Sequence, residues 1–282
     1  MMPYPHIDPV LVRIGPLQIR WYGLMYVLGF IACYMLVKLQ ARKFHLRSLE
    51  DHLDNLNLAI ILGVILGGRL GYVLFYNLNY YLHHPLEILA TWQGGMSFHG
   101  GCIGVLVAGW YVCRKYHLDY WQTADLFVVT VPIGLGLGRL GNFINGELFG
   151  RPTSLPWGMI FPHGGLVPRH PSQLYEAFLE GIVLFFILWK LKDKPWQKNS
   201  GKRWPHGTMV ALFLCLYGLF RFGVEFVREP DPQLGLLVFN LSMGQLLSLA
   251  MVLTGIILFL VRKKAFSPPA QKRKGLRGNQ AR

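Results

Sequence analysis

Residues 124–150, ADLFVVTVPIGLGLGRLGNFINGELFG, place a polar, glycine-rich end on an apolar run that is long enough to cross a membrane. Arg139 lies near the end of the apolar part, and Asn142 follows three residues later on the same helical face. An arginine inside a membrane helix costs about 2.5–3.5 kcal/mol on insertion scales, so it usually faces a polar cavity or a partner. The alternative is an arginine that snorkels to the interface beside a glycine-softened helix end. The two asparagines and the glutamate in this stretch favour a binding site.

The whole chain has the composition of a membrane protein. Of its 282 residues, 52% are hydrophobic, and the mean hydropathy is +0.34. Its 28 Lys and Arg exceed its 14 Asp and Glu, for a net charge of +14. In a membrane protein such a charge indicates cytoplasmic loops and contact with anionic lipid, so no nucleic-acid partner is expected. The cysteines and histidines show no paired or metal-ligand spacing, so neither a disulfide framework nor a metal site is expected.

Seven apolar segments predict an all-α, polytopic membrane fold with seven transmembrane helices. Their approximate bounds are 21–37, 56–76, 97–112, 124–142, 174–191, 208–227 and 243–261. Glycine interrupts several of them, which membrane helices tolerate because glycine permits close packing.

The charges of the loops predict the orientation of these helices. Most basic residues follow the first, third, fifth and seventh segments. The opposite side has only Arg13, Arg20, Arg151, Arg169 and Arg228. By the positive-inside rule the N-terminus is periplasmic and the C-terminus is cytoplasmic.

This orientation divides the chain into two parts. Residues 1–266 are expected to form the membrane domain, within which the proline-rich residues 145–172 form an ordered periplasmic cap or lid. This cap ends where a helix opens, with Ser172 as a candidate N-cap. Residues 267–282 are expected to be a basic, disordered cytoplasmic tail that anchors the topology and touches anionic lipid.

Three further arginines, Arg69, Arg139 and Arg221, fall within the second, fourth and sixth segments. Each lies roughly 20–22 Å from the predicted inner end of its helix, at 1.5 Å per residue. In a hydrocarbon core of about 30 Å this places all three in the outer half. Cations buried at one depth repel each other unless they share an anion or have acidic partners. Glu225, four residues after Arg221, is one candidate partner.

The sixth segment carries a polar stripe on an otherwise apolar helix. Tyr217, Arg221, Glu225 and Arg228 recur at i, i+4, i+8 and i+11. A ladder of ion pairs that holds helices together is the structural alternative, and the depth shared with Arg139 favours a common anion site. Arg228 and the residues that follow it most simply end this helix at the outer surface.

His99 lies in the predicted outer loop GGMSFHGG, residues 94–101. Glycines on both sides let the backbone turn sharply and leave the imidazole accessible. An imidazole with a pKa of about 6.5 can accept a proton from a thiol with a pKa of about 8.5. A hydrogen-bonded interface histidine is the common structural alternative.

Residues 138–150 also resemble the signature of prolipoprotein diacylglyceryl transferases, which are bacterial inner-membrane enzymes, in the pattern G-R-x-G-N-F-x-N-G-E-x-x-G. Four more segments resemble recurrent segments of that family, in the same order. They are residues 20–23 (RWYG), 98–101 (FHGG), 170–176 (HPSQLYE) and 217–228 (YGLFRFGVEFVR). The resemblance covers nearly the whole chain.

The resemblance implies an activity, its partners and a location. The expected reaction transfers the diacylglyceryl group of phosphatidylglycerol to the thiol of the lipobox cysteine of a prolipoprotein, and it releases glycerol 1-phosphate. No metal, nucleotide or other cofactor is expected. The implied location is the bacterial inner membrane, with the active site facing the periplasm and the signal-peptide helix of the substrate entering from the bilayer.

The resemblance also implies roles for individual residues. Arg139 and Arg221 are expected to hold the phosphate and to stabilise its growing charge, because a guanidinium offers a fixed fork of donors and keeps its proton. His99 is the candidate base, although a thiol near two arginines also ionises without a dedicated base. Arg69 is expected either to make a third phosphate contact or to form a helix-packing ion pair. The other candidates for binding phosphatidylglycerol are Asn142, Asn145 and Glu147 at the glycerol hydroxyls, Tyr22 and Tyr217 at headgroup or ester oxygens, and Gly150 and Glu225.

Two other classes of protein remain open from the residues alone. A transporter or lipid flippase also contains buried arginines, but it favours half-helix breaks near the midplane over a cluster in the outer half. A lipid-binding structural subunit needs the anion site without any group that activates a nucleophile.

Overall fold

The computed structural model describes residues 2–15, 17–197, 203–229 and 240–266, and this part of the chain is mostly helical. The α-helices are α1 (Trp21–Lys43), α2 (Arg47–Asp51), α3 (Leu53–Tyr76), α4 (Leu78–His83), α5 (Phe98–Lys115), α6 (Tyr120–Val128), α7 (Val131–Ile144), α8 (Ser172–Glu176), α9 (Leu184–Leu191), α10 (Thr208–Val224) and α11 (Met243–Phe266). Short 3-10 turns lie at Pro85–Leu89, Thr91–Gln93 and Lys194–Trp196, and a π-helical segment, Ala177–Val183, joins α8 to α9. The basic tail expected at 267–282 lies outside the described residues.

A β-hairpin precedes α1, so the fold is mostly helical rather than all-α. Strand β1 (Val10–Ile14) pairs antiparallel with β2 (Leu17–Arg20), and Ile14 faces Leu17 across the turn. Gly15, with φ of +58°, supplies the left-handed backbone that this turn requires. The hairpin was not predicted, because strands of four or five residues leave a much weaker pattern than apolar runs of membrane length.

The predicted apolar segments all fall on helical structure within the described chain. Helices α1, α3 and α11 are long and apolar enough to cross a membrane, and α6 with α7 counts as a fourth candidate if the bent pair is one span. In the most apolar windows of α1, α3 and α11, only 11%, 28% and 17% of the residues are buried. These helices therefore turn most of their apolar surface outward, as contact with lipid requires. The structure thus shows three or four candidate spans.

The fourth predicted segment is not one straight helix. Helices α6 and α7 meet at an angle of 40°. Pro132, in the first turn of α7, has no N–H to donate, and its ring clashes with the carbonyl four residues earlier, so the helix breaks there. The hydroxyl of Thr130 donates to the Phe127 carbonyl, 2.7 Å away, and thereby satisfies one carbonyl at the end of α6.

Helices α3 and α5 pack along a seam of glycines. The seam consists of Gly63, Gly67 and Gly71 on α3 and Gly100 and Gly104 on α5. A Cβ at Gly104 would lie 2.0 Å from the Gly63 carbonyl oxygen, and a Cβ at Gly67 would lie 2.4 Å from the Gly100 carbonyl oxygen. The two backbones are in direct contact, which is the packing that small residues at four-residue spacing allow in membrane helices.

Residues 145–171 return over the end of α7 as a hydrogen-bonded loop. Its Gly150 N–H donates to the His170 carbonyl at 2.8 Å, and Gly150 also bridges to Arg228 beyond α10. Under the loop, Tyr4 packs with Phe143 and Phe161, and its hydroxyl donates to the Phe143 carbonyl at 2.6 Å. The N-terminal residues are therefore tied to the same end of the bundle as this loop.

The beginning of α8 differs from the expectation. Ser172 is the first residue of the helix, Pro171 precedes it, and no side chain caps this end. The Ser172 hydroxyl donates instead to the Leu148 carbonyl, 3.1 Å away. Ser172 therefore ties α8 to the end of the signature segment.

Candidate active site

A fully buried carboxylate, Glu176 at the end of α8, joins arginines from two other helices. Its Oε2 lies 2.6 Å from Nε of Arg139 on α7 and 2.9 Å from Nη1 of Arg221 on α10. Arg228, just beyond α10, has its Nε 4.0 Å from Oε1 of Glu176. Arg139 and Arg221 thus meet at a single anionic group, and that group is a side chain of the chain itself.

Two tether bonds hold Glu176 in place. The side-chain amide of Gln173 donates to the Glu147 carbonyl at 2.7 Å, and the Ser172 hydroxyl donates to the Leu148 carbonyl at 3.1 Å. Ser172, Gln173 and Glu176 are all completely buried. The first turn of α8 is therefore fastened to the turn that follows Arg139, which explains why residues distant in the sequence meet here.

A second carboxylate, Glu225, pairs with Arg221 from the same helical face, as the four-residue spacing predicts. Its Oε2 lies 2.9 Å from Arg221 Nη2 and 3.8 Å from Arg228 Nη1. The Ser242 hydroxyl donates to Oε1 at 3.0 Å. Gly244 leaves room for the carboxylate, because a Cβ at that position would lie 2.6 Å from Glu225 Oε1.

A third carboxylate, Glu180, completes the group. It lies on the π-helical segment, is 0% exposed, and is within electrostatic range of Glu176 and of the three arginines. Single-turn π distortions inside helices occur frequently at functional sites. We call the six residues Arg139, Arg221, Arg228, Glu176, Glu180 and Glu225 the arginine–glutamate cluster.

The signature turn places three predicted headgroup ligands together. The side-chain amides of Asn142 and Asn145 both donate to Glu147 Oε1, at 2.8 Å and 3.1 Å. Gly146, with φ of +66°, and Leu148, with φ of +58°, form the tight turn that folds Glu147 back towards the end of α7. The arrangement presents amide and carboxylate groups beside Arg139, and such groups can bond hydroxyls.

The two predicted tyrosines approach the same region from other helices. Tyr22, in the first turn of α1, packs on Gly141, where a Cβ would lie 2.8 Å from Tyr22 Cδ2. It is within electrostatic range of Arg139 and Glu147. Tyr217 on α10 is within the same range of Arg139 and Glu180. Helices α1, α7 and α10 thus all contribute predicted site residues to one region.

His99 is not brought into this group by any contact among the described residues. It is the second residue of α5, is exposed, and touches the ring of Phe98. Helix α5 packs mainly against α3. The role of His99 as a base stays a prediction.

Arg69 is occupied by the loop that follows its own helix. Its guanidinium donates to the carbonyls of Glu87 at 2.6 Å, Ile88 at 2.7 Å and Gly94 at 2.7 Å, and it lies 5.1 Å from the ring of Tyr81. The side chain is buried at 4% exposure. These contacts favour the structural alternative for Arg69, although its partners are backbone carbonyls rather than the acidic residue of an ion pair.

Gly150 also has a structural explanation. A Cβ at this position would lie 2.4 Å from the Val227 carbonyl oxygen, and the Gly150 N–H is bonded to His170. The residue allows the loop to approach the backbone beside Arg228, and thereby helps to position the cluster.

An aromatic network connects the loop to α8 at the edge of the site. The Trp157 indole N–H donates to the Tyr175 hydroxyl at 2.7 Å, and that hydroxyl lies 3.2 Å from His170 Nδ1. Partial burial lowers the pKa of His170 from its ordinary value, because it disfavours the charged imidazolium.

Glu176 and Glu180 were not predicted as site residues, and Arg228 was expected at the surface. The signal was present for the acids: two glutamates four residues apart within the fifth apolar segment are as costly in a membrane as the arginines are. Arg228 lies beyond α10, yet its side chain is only 12% exposed because it turns back towards Glu176 and Glu225.

The fold and the site define a helical membrane protein in which arginines from separate helices surround a buried anionic position. The profile of the prolipoprotein diacylglyceryl transferase family matches residues 9–261, so the chain belongs to that family.

Proteins named phosphatidylglycerol–prolipoprotein diacylglyceryl transferase are similar over almost the full length. One from Desulfotalea psychrophila is 60% identical over 258 residues, which cover 92% of this chain and 94% of that protein. One from Geobacter sulfurreducens is 55% identical over 268 residues, covering 95% of this chain and all of that protein. One from Bordetella avium is 51% identical over 269 residues, covering 95% and 99%. The family resemblance of the motifs is thereby confirmed.

Proposed function

We propose that this chain transfers the diacylglyceryl group of phosphatidylglycerol to the thiol of a lipobox cysteine in prolipoproteins. The products are a thioether-linked precursor and glycerol 1-phosphate, and the reaction is the first step of bacterial lipoprotein maturation. The observation that carries the proposal is the convergence of Arg139 and Arg221 on one carboxylate, 2.6 Å and 2.9 Å from the same oxygen. A site that holds two guanidiniums around one oxygen anion is suited to hold a phosphate oxygen in the same way.

The two arginines act on the leaving group in this proposal. The thiolate attacks a glycerol carbon, the carbon–oxygen bond to phosphate breaks, and a second negative charge develops on the phosphate. Arg139 and Arg221 are positioned before the reaction, so they stabilise this charge without reorganising. Glu176 holds both side chains in place while the lipid is absent, and the phosphate takes over part of these contacts when it binds.

The signature turn recognises the headgroup. Asn142, Asn145 and Glu147 form a hydrogen-bonded group that follows Arg139 by only a few residues. We assign these groups to the glycerol hydroxyls, and Tyr22 and Tyr217 to headgroup or ester oxygens. Glu225 acts through Arg221, whereas Gly150 and Arg69 shape the surroundings of the site.

The thiol proton has two candidate routes. His99 is a candidate base because its imidazole is exposed at the start of α5. The alternative is ionisation of the thiol by the arginines themselves, which lower the pKa of a nearby thiol. Replacement of His99 by Gln separates the two: a slower transfer that has lost its pH dependence supports the base, and an unchanged pH profile supports the arginines.

We further propose a seven-span arrangement in the bacterial inner membrane, with a periplasmic N-terminus, a cytoplasmic C-terminus and the site on the periplasmic side. The asymmetry of basic residues between the loops supports this orientation. In it, residues 145–172 form a cap over the site within a membrane domain of residues 1–266. Acyl chains and the signal-peptide helix of the prolipoprotein reach the site sideways from the bilayer.

The transporter alternative gains one observation, the break between α6 and α7. Arg139 lies roughly 13 Å beyond this break, at nine residues and 1.5 Å per residue. Transporters use the broken helix ends themselves as the binding site. The break here has a local cause in Pro132, and the charged groups lie elsewhere, so the transferase is the better account.

The test uses purified full-length protein in vesicles that contain phosphatidylglycerol, with a lipobox cysteine peptide as acceptor. We expect release of glycerol 1-phosphate and a thioether on the peptide. Replacing Arg139 by Lys keeps the charge but removes the fork, and should reduce turnover by at least a hundredfold, about 3 kcal/mol, as for loss of one preorganised donor. Replacing Arg42 by Lys, in an exposed ion pair with Glu50, is the matched control and should leave turnover unchanged. Absence of product with the unmodified protein, or full turnover with the Arg139 variant, would refute the proposal.

A further inference from the structure

Glu180 differs from the other carboxylates of the arginine–glutamate cluster because no cationic group of the described residues forms an ion pair with it. Glu176 has guanidinium nitrogens at 2.6 Å and 2.9 Å, and Glu225 has one at 2.9 Å. Within the described ranges, both oxygens of Glu180 are buried without a hydrogen-bond partner or an ion pair. A completely buried carboxylate in this condition is costly in its ionised form.

Four helices pack on the π-helical segment that carries Glu180. These elements are α7, α8, α9 and α10. Helix α9 contributes no charged side chain except Lys190 in its last turn, at the far end from Glu180. The charged and titratable groups within electrostatic range of Glu180 are Arg139 from α7, Glu176 from α8, Tyr217 and Arg221 from α10, and Arg228 from the residues after α10.

The charges of the cluster balance without a ligand. Three guanidiniums and three carboxylates cancel when all six groups are ionised. A phosphodiester adds one negative charge to this balanced and buried group, and an uncompensated charge in such surroundings is strongly unfavourable. One proton on a carboxylate restores neutrality. Glu180 is the carboxylate that gains most from a proton, because it has no ion pair with any described residue and lies one helical turn from Glu176.

We propose that binding of one phosphatidylglycerol headgroup is coupled to uptake of one proton by Glu180. This inference rests on the proposed function only for the identity of the ligand. It predicts that affinity decreases as the pH rises, by up to about tenfold per pH unit where the lipid-free Glu180 is ionised. A zwitterionic headgroup brings its own ammonium group, so its binding takes up little or no proton.

Calorimetry on the full chain in uncharged detergent micelles tests the coupling. Short-chain phosphatidylglycerol is titrated at a single near-neutral pH in two buffers of different ionisation enthalpy, and the difference in observed heat gives the number of protons taken up. We expect between half a proton and one proton for the unmodified protein, and none for Glu180→Gln, as order-of-magnitude values from one titrating group. Because glutamine mimics the protonated acid, Glu180→Gln should also bind at pH 8 at least as tightly as the unmodified protein. Glu50→Gln, at an exposed pair with Arg42, is the control and should keep the uptake.

No uptake by the unmodified protein, uptake retained in Glu180→Gln, or loss of binding in a folded Glu180→Gln would overturn the inference. If Glu180→Gln does not fold, infrared difference spectra take its place: a band of a protonated carboxylic acid must appear on lipid addition and shift in Glu180→Asp, and its absence would also overturn the inference. Proton-linked binding without thioether formation would refute the proposed function but leave this inference standing. Thioether formation without proton uptake would support the proposed function and overturn this inference.

Discussion

Replacing Glu176 by Gln should destabilise the lipid-free protein and make it depend on anionic lipid. The change removes the carboxylate that lies 2.6 Å from Arg139 and 2.9 Å from Arg221 while keeping the side-chain volume. Breaking a buried ion pair by removing one partner costs about 3–5 kcal/mol, because the other charge stays buried without compensation. We expect the lower end, about 3 kcal/mol, because Arg221 and Arg228 keep Glu225 as a partner and only Arg139 is left without a described ion pair.

An anionic lipid should restore much of the stability that Glu176→Gln loses, because of where Glu176 lies. A phosphodiester that enters the cluster supplies the missing negative charge, so it should bind the variant more tightly and stabilise it by mass action. At a lipid concentration of roughly a hundred times its dissociation constant this stabilisation is about 2.7 kcal/mol, close to the whole deficit.

The assay is thermal unfolding in uncharged detergent micelles, with and without phosphatidylglycerol. Without the lipid, Glu176→Gln should unfold well below the unmodified protein. Adding the lipid should raise the unfolding temperature of the variant by more than that of the unmodified protein, because the variant binds the lipid more tightly. Glu50→Gln, in an exposed pair, should unfold like the unmodified protein in both conditions. A variant that stays equally destabilised when the lipid is added would refute the view that Glu176 and the phosphate compensate the same arginines.

Three further changes test the fold. Gly104→Ala should destabilise the α3–α5 seam by about 1–3 kcal/mol in thermal or denaturant unfolding, because its Cβ would lie 2.0 Å from the Gly63 carbonyl oxygen. The control is Gly109→Ala on the same helix, which should be neutral or slightly stabilising because the nearest neighbour of its Cβ is 4.0 Å away. Equal effects of the two substitutions would contradict the seam. Asp125→Ala should lower the free energy of unfolding by about 1–2 kcal/mol, because the Asp125 carboxylate accepts hydrogen bonds from the N–H groups of Gly207 (2.8 Å) and Val210 (3.1 Å) at the start of α10. Asp125→Asn keeps one acceptor and should cost less. An Asn variant as unstable as the Ala variant would argue against this capping role. Burial lowers the pKa of His170, so the imidazole takes up a proton more readily in the unfolded chain than in the folded one. Its contribution to stability is therefore complete above about pH 6.5 and is lost as the pH falls below that value. The free energy of unfolding of His170→Gln should decrease less across this range than that of the unmodified protein.

The sequence predicted the long helices well because each one corresponds to a long, continuous run of apolar residues. In a membrane, the length of an apolar run alone indicates a helix. The two departures are local: a hairpin too short to register, and a break at Pro132 within a run that remains apolar throughout. Neither changes which segments are helical, but the break re-aims α7 and hence Arg139.

The sequence predicted the candidate site only in part. Depth along a helix can be read from residue counts, which is why Arg139 and Arg221 were expected together. The direction in which a side chain points around its helix depends on packing, and Arg69, at a similar predicted depth, turns to the carbonyls of Glu87 and Ile88 instead. Depth therefore selects candidates, and only the packing of whole helices decides which of them meet.

The acidic residues show why charge balance should be considered together with depth. Buried arginines in a membrane helix require compensation, and the sequence contains the compensating carboxylates at Glu176, Glu180 and Glu225. Two of them are matched to close guanidiniums, whereas Glu180 is left without a close cation in the described structure. A site whose own charges already cancel cannot hold a further anion unless something else changes. Either a carboxylate moves away from its arginines or it takes up a proton, and the lack of any close cation at Glu180 makes the proton the smaller change.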